Sequence, residues 1–328
     1  MVKKEGVYLG IDLGGTNIGT AAVKDGKVLA YHKTKTQASK GPEVVIERIE
    51  KTVLKVAEEL NCSPSDFQAL CIGAPGAVEL ETGVVNDAPN LDWIDVPLGT
   101  TLEKNLGLPV FVDNDVNVGV LGEFVHGAGR GHKDMVGVFV GTGIGGGVII
   151  NGEMHYGGRG SAGEIGHMVI VPKGRRCGCG KKGCIEAYAS KTAIGAAIQK
   201  QIDKGKDSYL KETLANNKNK PLSSSLIEEA LLAGDSVTTE VIKKAQFYLG
   251  LLAANLVNIL DPDVIVFGGG LVEQLGDDFL KPIRKTARKY YLQQKDAKKV
   301  QILASTLGDH AGTIGAAEAA KRRLRSIQ

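Results

Sequence analysis

Within eighteen residues of the 328-residue chain stand His167, Cys177, Cys179 and Cys184, a histidine followed by three cysteines separated by glycines and lysines. Imidazole nitrogen and thiolate sulfur are the donors that close a tetrahedral zinc site. With all four positions taken by protein no place is left for a reacting water, so the metal implied is structural. Pairing the three thiols as disulfides would leave one over. Cys62 and Cys71 stand in apolar settings and read as small core residues.

A second constellation is built on glycine. The turns at Gly14 and Gly15 and from Gly141 to Gly147 can bring bare backbone amides against an anion, and Thr16 and Thr142 add hydroxyl donors. Either turn alone reads as an ordinary hairpin; two in the same setting, with a third glycine run at Gly268, Gly269 and Gly270, point to phosphate. Gly141, Gly143 and Gly146 fit the dinucleotide pattern G-x-G-x-x-G, but Val148–Ile150 after them reads as strand where that pattern requires a helix. No G-x-x-x-x-G-K-[ST] sequence is present, which excludes a P-loop.

The third constellation is Asp113, Asn114 and Asp115. A calcium loop starting at Asp113 would need Gly where Val118 stands and Glu where Phe124 stands. A carboxylate at a strand end of an α/β protein faces the crevice where ligands bind, which suits a general base. The same residues also suit an Asx turn.

The elements that must position these groups follow from periodicity. Tyr8–Ile11 and Ala21–Val23 flank the first glycine turn as strands, and Met135–Val140 and Val148–Ile150 flank the second. Ala69–Ile72, Val110–Val112 and Val264–Phe267 are short buried strands, each ending in polar or glycine residues. Pro42 opens a helix with an apolar stripe at Val45, Ile49, Val53, Val56 and Leu60, ending near Asn61. Val237–Leu260 is a long helix closed by Asp261, Pro262 and Asp263, and an alanine-rich helix starts at Ile314. The polar stretch Asn216–Ser225 interrupts the helices of the second half. Each half thus opens on a glycine hairpin and continues in alternating strands and helices, the mark of a duplicated α/β unit.

A chain of this length exceeds what one core usually holds, so two domains sharing a cleft are expected. The boundaries expected are 1–119 with the C-terminal helix 311–328 for the smaller domain, and 120–310 for the larger, which carries the zinc loop. With 43% hydrophobic and 23% charged residues the chain is globular, and its net charge of +3 argues against a nucleic-acid partner. The basic run Lys321, Arg322, Arg323 and Arg325 suits the last turn of a terminal helix. The start lacks the apolar stretch of a secretory signal, and the most apolar helical segment, Leu249–Leu260, is short and holds Asn255 and Asn258. A cytoplasmic protein with no membrane partner is expected.

These motifs in this order resemble the ROK family of sugar kinases, repressors and open reading frames, over essentially the whole chain. The resemblance is carried by Asp12–Thr16, Asp113–Asp115, Gly163–His167 and Cys177–Cys184. It implies two RNase H-like domains of the actin-like ATPase type, each a mixed sheet with flanking helices, closing over ATP and a hexose. Asp115 is then the catalytic base that takes the proton of the sugar 6-hydroxyl as it attacks the γ-phosphate. Gly76, Asn90, Asn114, Asp115, Glu164, His167 and Glu186 contact the sugar. Asp12, Gly14, Gly15, Thr16, Asn17, Thr142 and Gly143 serve the phosphates, with Mg2+ held through Asp12, and Gly268–Gly270 flank the adenosine. His167 both ligates Zn2+ and donates to the sugar. The resemblance also implies a homodimer or homotetramer.

The implied reaction is ATP-dependent phosphorylation of glucose to glucose 6-phosphate. N-acetylglucosamine or N-acetylmannosamine is the alternative acceptor, and polyphosphate the alternative donor. Sugar-sensing repressors of the same family carry a winged helix ahead of the kinase-like fold. Here the first glycine turn follows Asp12, which leaves no room for one in this sequence.

Overall fold

The computed structural model describes residues 4–216, 222–295 and 299–327. Residues 217–221 of the polar stretch and the first three residues lie outside the described residues. Two compact units emerge. The first takes the chain through Gly131, then Met154–Ala162, then the chain from Asp309; the second takes His132–Glu153 and Gly163–Gly308.

The first unit opens on the meander β1 (Tyr8–Leu13), β2 (Asn17–Lys24) and β3 (Lys27–Lys35). Next come α1 (Pro42–Glu59), β4 (Leu70–Ala74), a small sheet of β5 (Ala77–Glu79), β6 (Val84–Ala88) and β7 (Trp93–Val96), then α2 (Leu98–Leu106), β8 (Val110–Asn114) and α3 (Asp115–His126). The main sheet runs β3-β2-β1-β4-β8, antiparallel across β3, β2 and β1 and parallel from β1 through β4 to β8. Helix α1 buries Val45, Ile49, Val53 and Val56 against this sheet, the period-3.6 stripe that its sequence spells out. The helix stops one residue before Leu60, which is partly buried.

The second unit repeats the pattern. It contains β9 (Met135–Val140), β10 (Ile144–Ile150), β11 (Glu153–Met154), α4 (Glu186–Ala189), α5 (Lys191–Ile202), α6 (Lys211–Asn216), α7 (Ser224–Leu232), α8 (Ser236–Leu260), β12 (Val264–Gly268), α9 (Gly270–Tyr290) and β13 (Gln301–Ala304). The strand order is β11-β10-β9-β12-β13, with β9 antiparallel to β10 and parallel to β12, and β12 parallel to β13. Each unit is therefore an α/β layer in which a glycine-closed hairpin leads into parallel strands. Asp235 caps the start of α8 by accepting the Val237 N–H at 3.1 Å, and the chain leaves that helix at Asp261 in the left-handed conformation.

The last helix, α10 (Ala311–Ser326), returns to the first unit. A Cβ at Gly315 would stand 1.7 Å from the Val118 carbonyl oxygen, so the two backbones of α10 and α3 touch directly. A boundary between residues 119 and 120 falls inside α3, and both halves of that helix stay with the first unit because α10 holds them.

Candidate functional site

In the first unit the chain leaves β1 at Leu13 and turns through Gly14, Gly15 and Thr16. Gly14 N–H donates to the Asn17 carbonyl at 2.9 Å, and Thr36 Oγ1 donates to the Gly14 carbonyl at 2.6 Å, which closes the turn. Gly15 and Thr16 are exposed, and the Asn90 carbonyl oxygen lies 3.0 Å from where a Gly15 Cβ would stand. Asp12 sits at the end of β1. Burial raises its carboxyl above the ordinary value, Lys33 opposing the shift and Asp309 adding to it.

At the end of β8 the chain enters α3 with no intervening loop. Asn114 is the cap: its Oδ1 accepts from Val116 N at 2.9 Å and Asn117 N at 3.2 Å, while its Nδ2 donates to the Gly76 carbonyl at 3.1 Å. Asp115 is the first helical residue, with Val116 N–H donating to its Oδ1 at 2.9 Å, at the positive end of the helix dipole. The Asx turn expected here is formed by Asn114, whose side chain accepts the amides two and three residues on. Asp113, one residue before the cap, is buried. It accepts from Tyr156 Oη at 2.6 Å and from Asn114 N at 2.7 Å. Burial pushes its carboxyl up, and these bonds draw it part of the way back.

In the second unit the turn between β9 and β10 carries Thr142, which is exposed. The turn is fastened to the start of α4 and α5. Lys191 N donates to the Gly141 carbonyl at 2.9 Å, Thr192 Oγ1 to the Thr142 carbonyl at 2.8 Å, and Ile144 N to Glu186 Oε2 at 3.0 Å. A Cβ at Gly143 would fall 2.5 Å from the same Glu186 oxygen. The other carboxylate oxygen, Oε1, accepts from Cys177 Sγ at 3.3 Å.

His167, Cys177, Cys179 and Cys184 come together, their ligand atoms all within 4.8 Å of one another. His167 Nδ1 is 3.7 Å from Cys177 Sγ, and Cys179 Sγ is 3.7 Å from Cys184 Sγ. Tetrahedral zinc with bonds of about 2.3 Å to sulfur sets ligand atoms about 3.6–3.8 Å apart, so the donor set and its spacing fit zinc. The loop is pinned by bridges between Val169 and Cys184 and between Arg176 and Lys182. Burial pushes the Cys177 thiol up to about 12, the Cys179 backbone N–H opposing the shift and the Cys179 and Glu186 side chains adding to it, whereas the Lys181 backbone N–H lowers that of exposed Cys179. His167 Nε2 lies 3.9 Å from Glu164 Oε2. Cys62 and Cys71 belong to the first unit, Cys62 partly buried and Cys71 buried.

Gly268, Gly269 and Gly270 carry the chain from β12 into α9. Gly269 has φ +92°, and a Cβ there would meet the Val140 carbonyl at 2.5 Å, so this glycine run packs against the strand end that leads into the second glycine turn. Reading the sequence misses two things here. The Glu186 carboxylate fastens the glycine turn, and Tyr156 reaches Asp113; a lone tyrosine in a glycine-rich stretch carries no signal of such a bond.

The ROK family model matches residues 8–323. Glucokinase of Halalkalibacterium halodurans is 37% identical over 323 residues, covering 98% of this chain and 97% of that protein. A putative xylose repressor of a Caldicellulosiruptor species is 32% identical and covers 95% of this chain but 77% of its own length. Among solved structures, a ROK family glucokinase from Streptomyces griseus in complex with glucose and AMPPNP superposes with a TM-score of 0.82 at 33% identity, over 97% of this chain and all of that one. Among the described residues no helix is long and apolar enough to cross a membrane. With a matching strand order in both units and likeness over nearly its full length, the chain belongs to the ROK family, within the actin-like ATPase fold.

Proposed function

We propose that this protein is an ATP-dependent hexose kinase that phosphorylates glucose at the 6-hydroxyl. The observation that carries the reading is the β8–α3 junction, where helix-capping Asn114 and helix-opening Asp115 stand side by side on the turn. Asp115 accepts the proton of the attacking hydroxyl, and Asn114 and Asn90 hold neighbouring hydroxyls. Phosphoryl transfer leaves little covalent chemistry to the protein, so most of the rate comes from placing the hydroxyl and neutralising charge. In the first unit Gly14, Gly15 and Thr16, with Asn17 behind them, offer donors to the phosphates; in the second Thr142 and Gly143 do the same. Asp12 suits Mg2+ because it is a carboxylate at the mouth of the first glycine turn, and the ion would supply positive charge to the β and γ oxygens. Gly268–Gly270 leave room for the nucleoside.

Glu164, His167 and Glu186 serve the remaining sugar hydroxyls. With His167 Nδ1 turned to the thiols, Nε2 is left for a hydroxyl, and the zinc would hold the ring in that orientation. Glu186 keeps lone pairs beyond the one that the Ile144 N–H uses. Glucokinases at 34–37% identity favour glucose as acceptor. The second reading, a sugar-binding regulator without kinase activity, draws on the repressors at 28–32% identity.

A coupled ADP-release assay with ATP and magnesium across glucose, N-acetylglucosamine, N-acetylmannosamine, mannose and fructose tests the proposal. Highest kcat/KM on glucose is expected. Turnover confined to an N-acetylhexosamine overturns the acceptor, and sugar binding without turnover on any of them favours the regulator.

A further inference from the structure

Met154–Ala162 packs with the first unit although the chain on either side of it belongs to the second. Tyr156 is its half-buried anchor. Its hydroxyl donates to Asp113 Oδ2 at 2.6 Å, the short distance of a charge-assisted bond. Asp113 Oδ1 accepts from Asn114 N at 2.7 Å, and the Asn117 side chain also bonds to this carboxyl. Asp113 is 1% exposed and touches no solvent to speak of, so nothing about solubility explains a carboxylate there. Arg323, the cation whose field reaches it, is itself committed: its guanidinium donates to the Val112 carbonyl at 3.0 Å and to the Leu80 carbonyl.

Burying a carboxyl is unfavourable unless its oxygens are bonded, and here each bond ends on the strand–helix turn or on Tyr156. The partners are the backbone N–H of Asn114 and the side chain of Asn117, which flank Asp115 in sequence. We propose that Tyr156 and Asp113 are positioning residues for the phosphoryl transfer. Tyr156 fixes the Asp113 carboxyl, Asp113 fixes the β8–α3 turn, and the turn holds Asn114 and Asp115 at the angle the attacking hydroxyl needs. Neither residue touches substrate. This rests on the kinase reading given above.

Tyr156→Phe deletes one hydroxyl and keeps the ring that fills the space. The full chain is assayed for kcat, for KM of glucose and ATP, for glucose affinity by calorimetry, and for amide exchange at Val116 and Asn117. A positioning role predicts a fall in kcat of about tenfold with both KM values and the glucose Kd within about twofold, and faster exchange at the two amides. Asp113→Asn, which keeps one oxygen for the Asn114 N–H, is expected to lose less than Asp113→Ala. Unchanged kcat in Tyr156→Phe overturns the proposal, as does a parallel loss of kcat, sugar affinity and melting temperature, which marks a merely structural bond. Failure of the kinase reading looks different: the parent protein itself turns over no sugar, and the amide exchange alone then decides the clamp, faster exchange upholding it and unchanged exchange ending it.

Discussion

Glu186 Oε2 accepts the backbone N–H of Ile144 at 3.0 Å while Oε1 lies 3.3 Å from Cys177 Sγ, so one carboxylate stands between the second glycine turn and the cysteine cluster. Glu186→Ala leaves the Ile144 N–H without this acceptor and loosens the turn. A hydrogen bond to a charged group contributes about 1.5–3 kcal/mol, so the KM for ATP should rise by about tenfold or more. Glu186→Gln retains an acceptor oxygen and should stay within about threefold of the parent. Steady-state kinetics with varied ATP check this, and an unchanged KM in the alanine variant contradicts it.

The proposed site at His167, Cys177, Cys179 and Cys184 predicts one zinc per chain. Metal analysis of protein purified without chelator should find it, and Cys184→Ser should lose both the metal and tight glucose binding, because His167 is no longer held. Structural zinc sites bind with about 10 kcal/mol or more, so the melting temperature should drop sharply as well. A zinc-free protein with the parent's melting temperature and glucose affinity contradicts the assignment.

What the sequence discloses is what lies close along the chain. The glycine hairpins, the Asn114 cap and the His167–Cys184 cluster are local, and their geometry follows from residue type and short spacing. The stripe of α1 is legible for the same reason. Other features depend on partners far away in sequence. Tyr156 meets Asp113 across 43 positions and Glu186 meets Ile144 across 42, and no periodicity announces either bond. The exact bounds of the units depend on such partners too: Gly315 against Val118 is a tertiary contact between α10 and α3, and the whole of α3 lies in the first unit. Met154–Ala162 gives no compositional sign that it packs with the other unit from its neighbours.

Burial holds the Asp113 carboxyl above its ordinary value in the folded chain, so the folded state binds that proton more readily than the unfolded one. The stability this contributes is fully present below the ordinary carboxylate value of about 4 and is lost as pH rises through the raised one. Asp113→Asn does not titrate. Its melting temperature relative to the parent should therefore climb as pH rises above about 4 and through the raised value, whatever the offset at the acid end. Calorimetric scans at a series of pH values check this; a difference that stays constant, or shrinks with rising pH, contradicts it.

The role of Asp115 is open to the most direct measurement. In Asp115→Ala, kcat for glucose phosphorylation should fall by about a thousandfold or more, the scale of losing a positioned base together with its alignment. Glucose binding by calorimetry should remain within about tenfold of the parent, because Asn90, Asn114, Glu164 and His167 are untouched. Turnover near the parent's rate in this variant contradicts the account.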